Sequence, residues 1–247
     1  MLKDHHHSPE EIKARLSAGP GVFYLKEWVY GGIDGVVTTF AVVAGVVGAG
    51  LSPAIVMVLG LANLLADGFS MAASAYSAMK AEEDNYERLH AREVRHVAQH
   101  HDGEIEETRQ IFASKGFKGE ELEQMVSTIS RDKDIWIEFM LQEEYGIARP
   151  IHSAMKAGLQ TFWAFFICGA MPLIPFLLPG AILPISYQPV LALILSAITF
   201  FAIGSLKSLW SLKSLPREGF ETLFIGLTAA AMAYGVGYAL QTWVQGG

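Results

Sequence analysis

Long apolar stretches dominate the hydrophobic pattern of this chain, and one polar segment interrupts them near the middle. A helix needs about 20 mostly apolar residues to cross a bilayer. Five stretches meet that length, at residues 28–50, 53–79, 158–178, 189–209 and 220–244. The pattern predicts an all-α integral membrane protein with five transmembrane helices and a cytoplasmic helical insert between helices two and three.

Charge is concentrated in the polar segment. Residues 80–156 hold 17 of the 25 acidic residues and 11 of the 18 basic ones. A single cysteine, Cys168, excludes a disulfide framework or a Cys-based zinc site within one chain. The predicted parts are an N-terminal segment (1–27), a transmembrane hairpin (28–79), a metal-binding insert (80–157) and three more spans (158–245).

The distribution of Lys and Arg predicts the orientation. The links at residues 49–52 and 178–188 contain neither residue type. The N-terminal segment, the insert and the link between the last two spans carry all of them except Lys207, which lies at the end of the fourth span next to that link. Cytoplasmic loops are enriched in positive charge, so we expect a cytoplasmic N-terminus. The compact loops and the absence of a signal peptide favour a bacterial inner membrane, with a vacuolar membrane as the alternative.

Polar side chains in the first hairpin are candidates for a transport site. The rise of 1.5 Å per residue puts Asp34 and Met71 at similar depth, with Asp67 and Asn63 one and two turns deeper. Carboxylates within a membrane usually face a bundle interior or a water-filled path. A carboxylate with a thioether nearby suits a borderline transition metal. We expect these four residues to form the pathway, with Glu27 as a further carboxylate that exchanges protons.

Each pathway residue also has a plainer interpretation. Asp34 could cap a broken helix, and Asp67 could carry a proton or hydrogen-bond a neighbouring helix. Met71 alone would more often face lipid or a packed core. The similar depth of Asp34 and Met71, with Asp67 one turn away, is what favours a transport site.

The insert shows helical patterning without a strand pattern. The helix of span two is predicted to continue to about residue 101, followed by helices at 104–114, 119–130 and 132–147. Residues three or four apart share a helix face. Three pairs with that spacing could each offer two metal ligands: Glu93 with His96, Glu104 with Glu107, and Met140 with Glu144. A solvated acidic face is the alternative for any pair alone.

Two Glu-x-x-His motifs raise the possibility of a di-iron centre. Ferritin-like sites need this motif on two different helices. Here Glu87-x-x-His90 and Glu93-x-x-His96 follow each other on one helix, about 240° apart. A di-iron oxidase is therefore disfavoured. The histidines at positions 5–7 are interpreted as part of a tail without an assigned role.

Two sequence runs in the first hairpin resemble the vacuolar iron transporter family, which includes the yeast vacuolar iron and manganese importer. They are DGVVTTFAVVAG at residues 34–45 and LANLLADGFSMA at 61–72. The run GAMPLIP at 169–175 is similar to that family as well. The resemblance extends from about residue 25 to the end of the chain.

This resemblance implies a homodimer with the pathway at its interface and antiport of Fe²⁺ out of the cytoplasm against protons. Mn²⁺, Co²⁺ and Zn²⁺ are further possible substrates, and no fixed cofactor is implied. It implies that Asp34 and Met71 line the transport site. The insert ligands that it implies are Glu93, Glu104, Glu107, Met140 and Glu144.

Two positions depart from the family pattern. His96 stands where a glutamate is expected, and Leu141 where a second methionine can occur. Both departures bear on metal preference.

A membrane-anchored iron sensor or store is the main alternative function. The buried carboxylate and methionine favour transport, because an anchor needs neither. The expected partners are divalent metal ions, protons and the lipid bilayer, and no nucleic acid is expected.

Overall fold

The computed structural model describes residues 8–18 and 23–245. The histidines at positions 5–7 lie outside these residues. Within the described part of the chain all regular structure is helical, which confirms the all-α prediction. The helices are α1 (Pro9–Ala18), α2 (Leu25–Gly48), α3 (Pro53–Gln99), α4 (His101–Ser114), α5 (Gly119–Ser130), α6 (Lys133–Glu144), α7 (Ala154–Ala170), α8 (Ile174–Leu177), α9 (Gln188–Lys207) and α10 (Leu215–Gln245).

Five helical segments are long and apolar enough to cross a membrane, as predicted. They are Leu25–Gly48, Pro53–Gln99, Ala154–Leu177, Ile185–Lys207 and Leu215–Trp243. The predicted limits differ from these mainly at helix ends, where the apolar pattern fades gradually. Helix α1 was not predicted.

The third candidate span changes character near its end. After α7, residues Met171–Leu173 form a 3₁₀ turn, and α8 then adds one further turn. Pro172 and Pro175 lie in this region. A proline lacks the N–H that an α-helix needs and clashes with the preceding turn, which explains the break.

The chain divides into two compact units. The membrane unit comprises the residues up to Tyr76 and those from Ala154 onward, and the insert comprises Ser77–Ser153. The predicted insert, 80–157, begins and ends a few residues later than this unit. Helix α3 contributes to both units without a break, as the continuous helical pattern after span two predicted.

Helix α2 is the central helix of the membrane unit and packs against α7, α9 and α10. Its buried residues Val36 and Phe40 share an apolar core with Phe165 of α7 and Phe200 of α9. Gly35 and Gly169 permit a close approach of α2 and α7, since a Cβ on Gly169 would lie 2.7 Å from the Gly35 carbonyl oxygen. Small residues at such crossings let backbones touch. The crossing fixes the backbone beside Asp34.

The insert has its own apolar core, which α3 and α6 supply. Trp136 and Met140 of α6 are fully buried there, next to Leu89 of α3. The indole N–H of Trp136 donates to the Thr108 hydroxyl at 2.7 Å, and that hydroxyl donates to the carbonyl of Glu104 at 2.7 Å. This chain of hydrogen bonds ties α6 to the turn of α4 that carries Glu104.

Candidate metal and transport sites

Polar residues of α2 and α3 meet inside the membrane unit. The Thr38 hydroxyl donates to the backbone carbonyl of Asp34 at 2.9 Å and accepts from the side-chain amide of Asn63 at 3.4 Å. Asp67 follows Asn63 by one helical turn on α3, and its negative charge acts on the Asp34 carboxylate. Thr38 thus links two of the predicted pathway residues, Asp34 and Asn63. We call Asp34, Thr38, Asn63 and Asp67 the membrane polar cluster.

Asp34 also lines a cavity of about 600 Å³ between α2, α9 and α10. Most of the cavity wall is apolar, while Lys26, Lys207 and Glu218 add charge. Glu218 is 3% exposed, and its carboxylate lies 3.1 Å from the Lys207 ammonium. Sequence reasoning did not identify Glu218, although an acidic residue in the first turn of a candidate span was a visible signal.

Met71 and Glu27 are the other two predicted pathway residues. Met71 is half-buried and packs against the apolar core of the membrane unit. Glu27 lies in the first turn of α2, where the helix dipole favours a carboxylate. Among the described residues its Oε2 is buried without a hydrogen-bond partner. Neither residue is part of the membrane polar cluster, and their roles stay predictions.

Three residues of the insert form a second cluster, here named the insert cluster: Glu93 and His96 of α3, and Glu104 of α4. The Nδ1 atom of His96 lies 3.3 Å from Glu104 Oε1 and 3.7 Å from Glu93 Oε1. One potential ligand atom from each residue lies within 4.8 Å of the other two. The backbone leaves the helical conformation at His100 between the two helices, and Glu104 of α4 lies beside Glu93 and His96 of α3.

The two carboxylates of the insert cluster are deeply buried. Glu93 is 0% and Glu104 3% exposed, and within the described residues the Oε2 atom of each has no hydrogen-bond partner. Burial, helped by the charges of Glu93 and Glu107, raises the pKa of Glu104 to about 7. Burial also raises the pKa of Glu93. A buried, unpartnered carboxylate is costly, and a divalent cation between the two would compensate both. The donor set therefore fits a metal ion.

The other predicted insert ligands surround this cluster in two ways. Glu107 and Glu144 are exposed, and their charges act on Glu104. Met140 is fully buried, with its sulfur 3.5 Å from the Thr108 hydroxyl. Glu107 and Glu144 thus add negative potential, and Met140 packs beside the turn that carries Glu104.

Tyr145 is a member of the site that the sequence did not reveal. Its hydroxyl donates to Glu93 Oε1 at 3.0 Å, which leaves the unpartnered Oε2 for another ligand. The guanidinium of Arg92 lies 5.2 Å from the centre of the Tyr145 ring. Spacing along one helix cannot identify Tyr145, because this residue directly follows α6 whereas the carboxylate that it orients is on α3.

We expect Tyr145→Phe to weaken metal binding by the insert about 10- to 100-fold, the usual effect of removing a hydrogen bond to a metal ligand. The phenyl ring keeps the packing and loses only the donor. Equilibrium dialysis of Co²⁺ against the full-length protein measures the effect. Tyr86→Phe is the matched control, since Tyr86 bonds Glu138 instead. Unchanged affinity in Tyr145→Phe would contradict the orienting role.

The raised pKa of Glu104 predicts that the metal-free insert loses stability as pH rises. The folded-state pKa of Glu104, about 7, exceeds the ordinary 4.5. The contribution of this group to the free energy of unfolding is therefore fully present below pH 4.5 and is lost as pH rises through 7. The loss from about pH 5 to about pH 9 is about 2.5 kcal/mol for this group. Hydrogen exchange of α4 amides in the full-length protein, without metal, measures it. The dependence should become smaller in Glu104→Gln, where only the raised pKa of Glu93 still contributes.

Five candidate membrane-crossing helices, with a carboxylate within each of two of them, Asp34 of α2 and Asp67 of α3, define an integral membrane protein of the transporter class. Residues 25–238 match the family model described as the VIT family, and the chain belongs to that family. This confirms the resemblance seen in the sequence.

The relatives are similar over most of their length. Vacuolar iron transporter 1 of Arabidopsis thaliana is 30% identical over 235 residues, which cover 94% of this chain and 89% of that protein. The vacuolar iron transporter of Toxoplasma gondii is 34% identical over 227 residues, covering 88% and 74%. Vacuolar iron transporter 1 of Oryza sativa is 30% identical over 239 residues, covering 96% and 91%. These relatives are named as transporters, which places the chain among transporters of metal ions and not among enzymes.

Proposed function

We propose that the protein carries Fe²⁺ out of the cytoplasm in exchange for protons, with Asp34 as the central residue of the transport site. The observation that carries this proposal is the membrane polar cluster, in which Thr38 joins Asp34 of α2 to Asn63 of α3, one turn from Asp67, while Asp34 also borders a cavity. Charged side chains within spans mark ion paths in membrane proteins. The names of the relatives support iron as the cargo.

Proton coupling follows from the chemistry of a carboxylate. A metal ion and a proton compete for the same oxygen lone pairs, so protonation of Asp34 releases a bound ion. The ion binds from the side where the carboxylate is ionised and leaves on the side where the proton enters. Glu27 is the second carboxylate proposed to exchange protons.

The insert is proposed to collect the ion before transport. The insert cluster offers two carboxylates and an imidazole, and Glu107 and Glu144 attract cations to it. Mn²⁺, Co²⁺ and Zn²⁺ are further candidate cargoes for the same donors.

We also propose that a second copy of the chain completes the pathway. Asp34, Asp67 and Met71 are only half-buried in one protomer. A half-exposed carboxylate facing lipid would be costly, whereas a homodimer interface would enclose all three side chains and their partner copies.

The proposed direction requires a far compartment more acidic than the cytoplasm. The basic residues at the ends of the spans support a cytoplasmic N-terminus and insert. The names of the relatives from Arabidopsis thaliana and Toxoplasma gondii refer to the vacuole. They give no support to the bacterial inner membrane that the compact loops led us to expect.

Reconstituted liposomes test the proposal. Fe²⁺ uptake is followed anaerobically with a trapped fluorescent chelator, with the interior at either the same pH as the outside or a lower pH. We expect uptake that depends on the acidic interior. Absence of uptake under every gradient, while the protein still binds Fe²⁺, would replace transport with the sensor or storage function.

A further inference from the structure

The insert cluster contains one nitrogen donor among oxygen donors. The side chain of His96 is 38% exposed, whereas those of Glu93 and Glu104 are almost fully buried. The imidazole therefore forms the solvent-facing side of the cluster. When ionised, the two carboxylates balance the charge of a divalent cation.

The atoms of the cluster are already spaced for coordination. Metal–ligand bonds of about 2.0–2.1 Å give ligand–ligand distances of about 2.9 Å in an octahedron and about 3.4 Å in a tetrahedron. His96 Nδ1 lies 3.3 Å and 3.7 Å from the two nearest carboxylate oxygens. Small side-chain adjustments would place all three atoms around one ion. The unpartnered Oε2 atoms of both glutamates supply further donors.

An imidazole at this position has a consequence for selectivity. Carboxylate sites suit Mn²⁺, Mg²⁺ and Ca²⁺, whereas imidazole suits Fe²⁺, Zn²⁺ and other later transition metals. Mn²⁺ is the weakest of the first-row divalent ions for a nitrogen-containing site. We propose that His96 sets the metal preference of the insert, favouring Fe²⁺, Co²⁺ and Zn²⁺ over Mn²⁺. This rests on the proposed function only in taking the insert as a metal-binding unit.

A structural role for His96 would predict a different behaviour. If its imidazole served only as an ion-pair partner of the two carboxylates, replacing it would change the affinities for all divalent ions in the same direction and by similar factors. A ligand role changes the ratio of affinities instead. The ratio is therefore the decisive quantity.

The test uses full-length protein in detergent and equilibrium dialysis of Mn²⁺, Co²⁺ and Zn²⁺, with Fe²⁺ measured anaerobically. We expect His96→Glu to lower the ratio of Co²⁺ to Mn²⁺ affinity by at least about tenfold, the lower end of effects from altered metal surroundings. His96→Gln removes the imidazole without adding a negative charge, so it should lower the same ratio. His90→Glu makes the same charge change elsewhere on α3 and should leave the ratio unchanged.

The visible spectrum of bound Co²⁺ gives a second readout, because loss of a nitrogen ligand shifts its absorption bands. A wild-type ratio in His96→Glu or in His96→Gln would overturn the proposal, and so would an equal shift in His90→Glu. If His96→Glu fails to fold, His96→Gln carries the comparison alone. Failure of liposome transport with the ratio shift intact would reject the proposed transport function and leave this inference standing.

Discussion

Asp34→Asn is expected to abolish proton-driven metal uptake into liposomes. The amide keeps the size of the side chain but has no charge to hold a divalent ion and no lone pair that takes up a proton near neutral pH. Loss of a charged contact worth about 3 kcal/mol corresponds to roughly 100-fold weaker binding. The initial rate of uptake at low metal concentration should fall by about that factor, to the level of empty liposomes.

The matched control for this variant is Glu221→Gln. Glu221 is a carboxylate of the membrane unit that pairs with Lys213 at 2.8 Å and lies outside the membrane polar cluster. Its amide variant should transport at the wild-type rate, since exposed ion pairs contribute little. Uptake by Asp34→Asn at the rate of Glu221→Gln would remove Asp34 from the mechanism.

The spans were predictable because the bilayer imposes one length on every helix that crosses it. The continuity of α3 was predictable for a local reason as well, since no Gly or Pro interrupts its pattern between Phe69 and Gln99. The division into a membrane unit and an insert followed from the concentration of charge. Helix ends were less exact, because the last turn of a helix depends on local caps.

The sites were predictable only as far as one helix determines them. Spacing placed Glu93 and His96 on one face, and the structure confirms their proximity. That Glu104 joins them, while the exposed Glu107 acts at a distance, depends on the break between α3 and α4 at His100. Residues that act from another helix, such as Tyr145, were beyond the reach of spacing arguments.

Depth arguments in the membrane unit had a similar limit. They placed Asp34 level with Met71, whereas in the structure Asp34 accepts a hydrogen bond from Thr38 on its own helix and Met71 packs against the apolar core. Axial depth says nothing about the direction in which a side chain points. Thr38 was recognisable in principle, because it follows Asp34 by one helical turn.

The double variant Glu93→Gln with Glu104→Gln is expected to change binding and stability in opposite directions. Both carboxylates are buried, and each has a raised pKa and an oxygen without a partner. Amides remove the cost of burying charge, so the metal-free insert should become more resistant to hydrogen exchange at pH above 7. The same change removes both anionic ligands, and Co²⁺ affinity should fall by more than roughly 100-fold.

Glu120→Gln with Glu121→Gln is the control, because it makes the same change of charge on exposed positions of α5. It should alter neither the Co²⁺ affinity nor the exchange rates beyond experimental scatter. A loss of both affinity and protection in the Glu93 and Glu104 variant would mean that these carboxylates support the fold and not a metal ion. A gain in protection with loss of affinity would mean that the insert keeps two destabilising charges because a cation needs them.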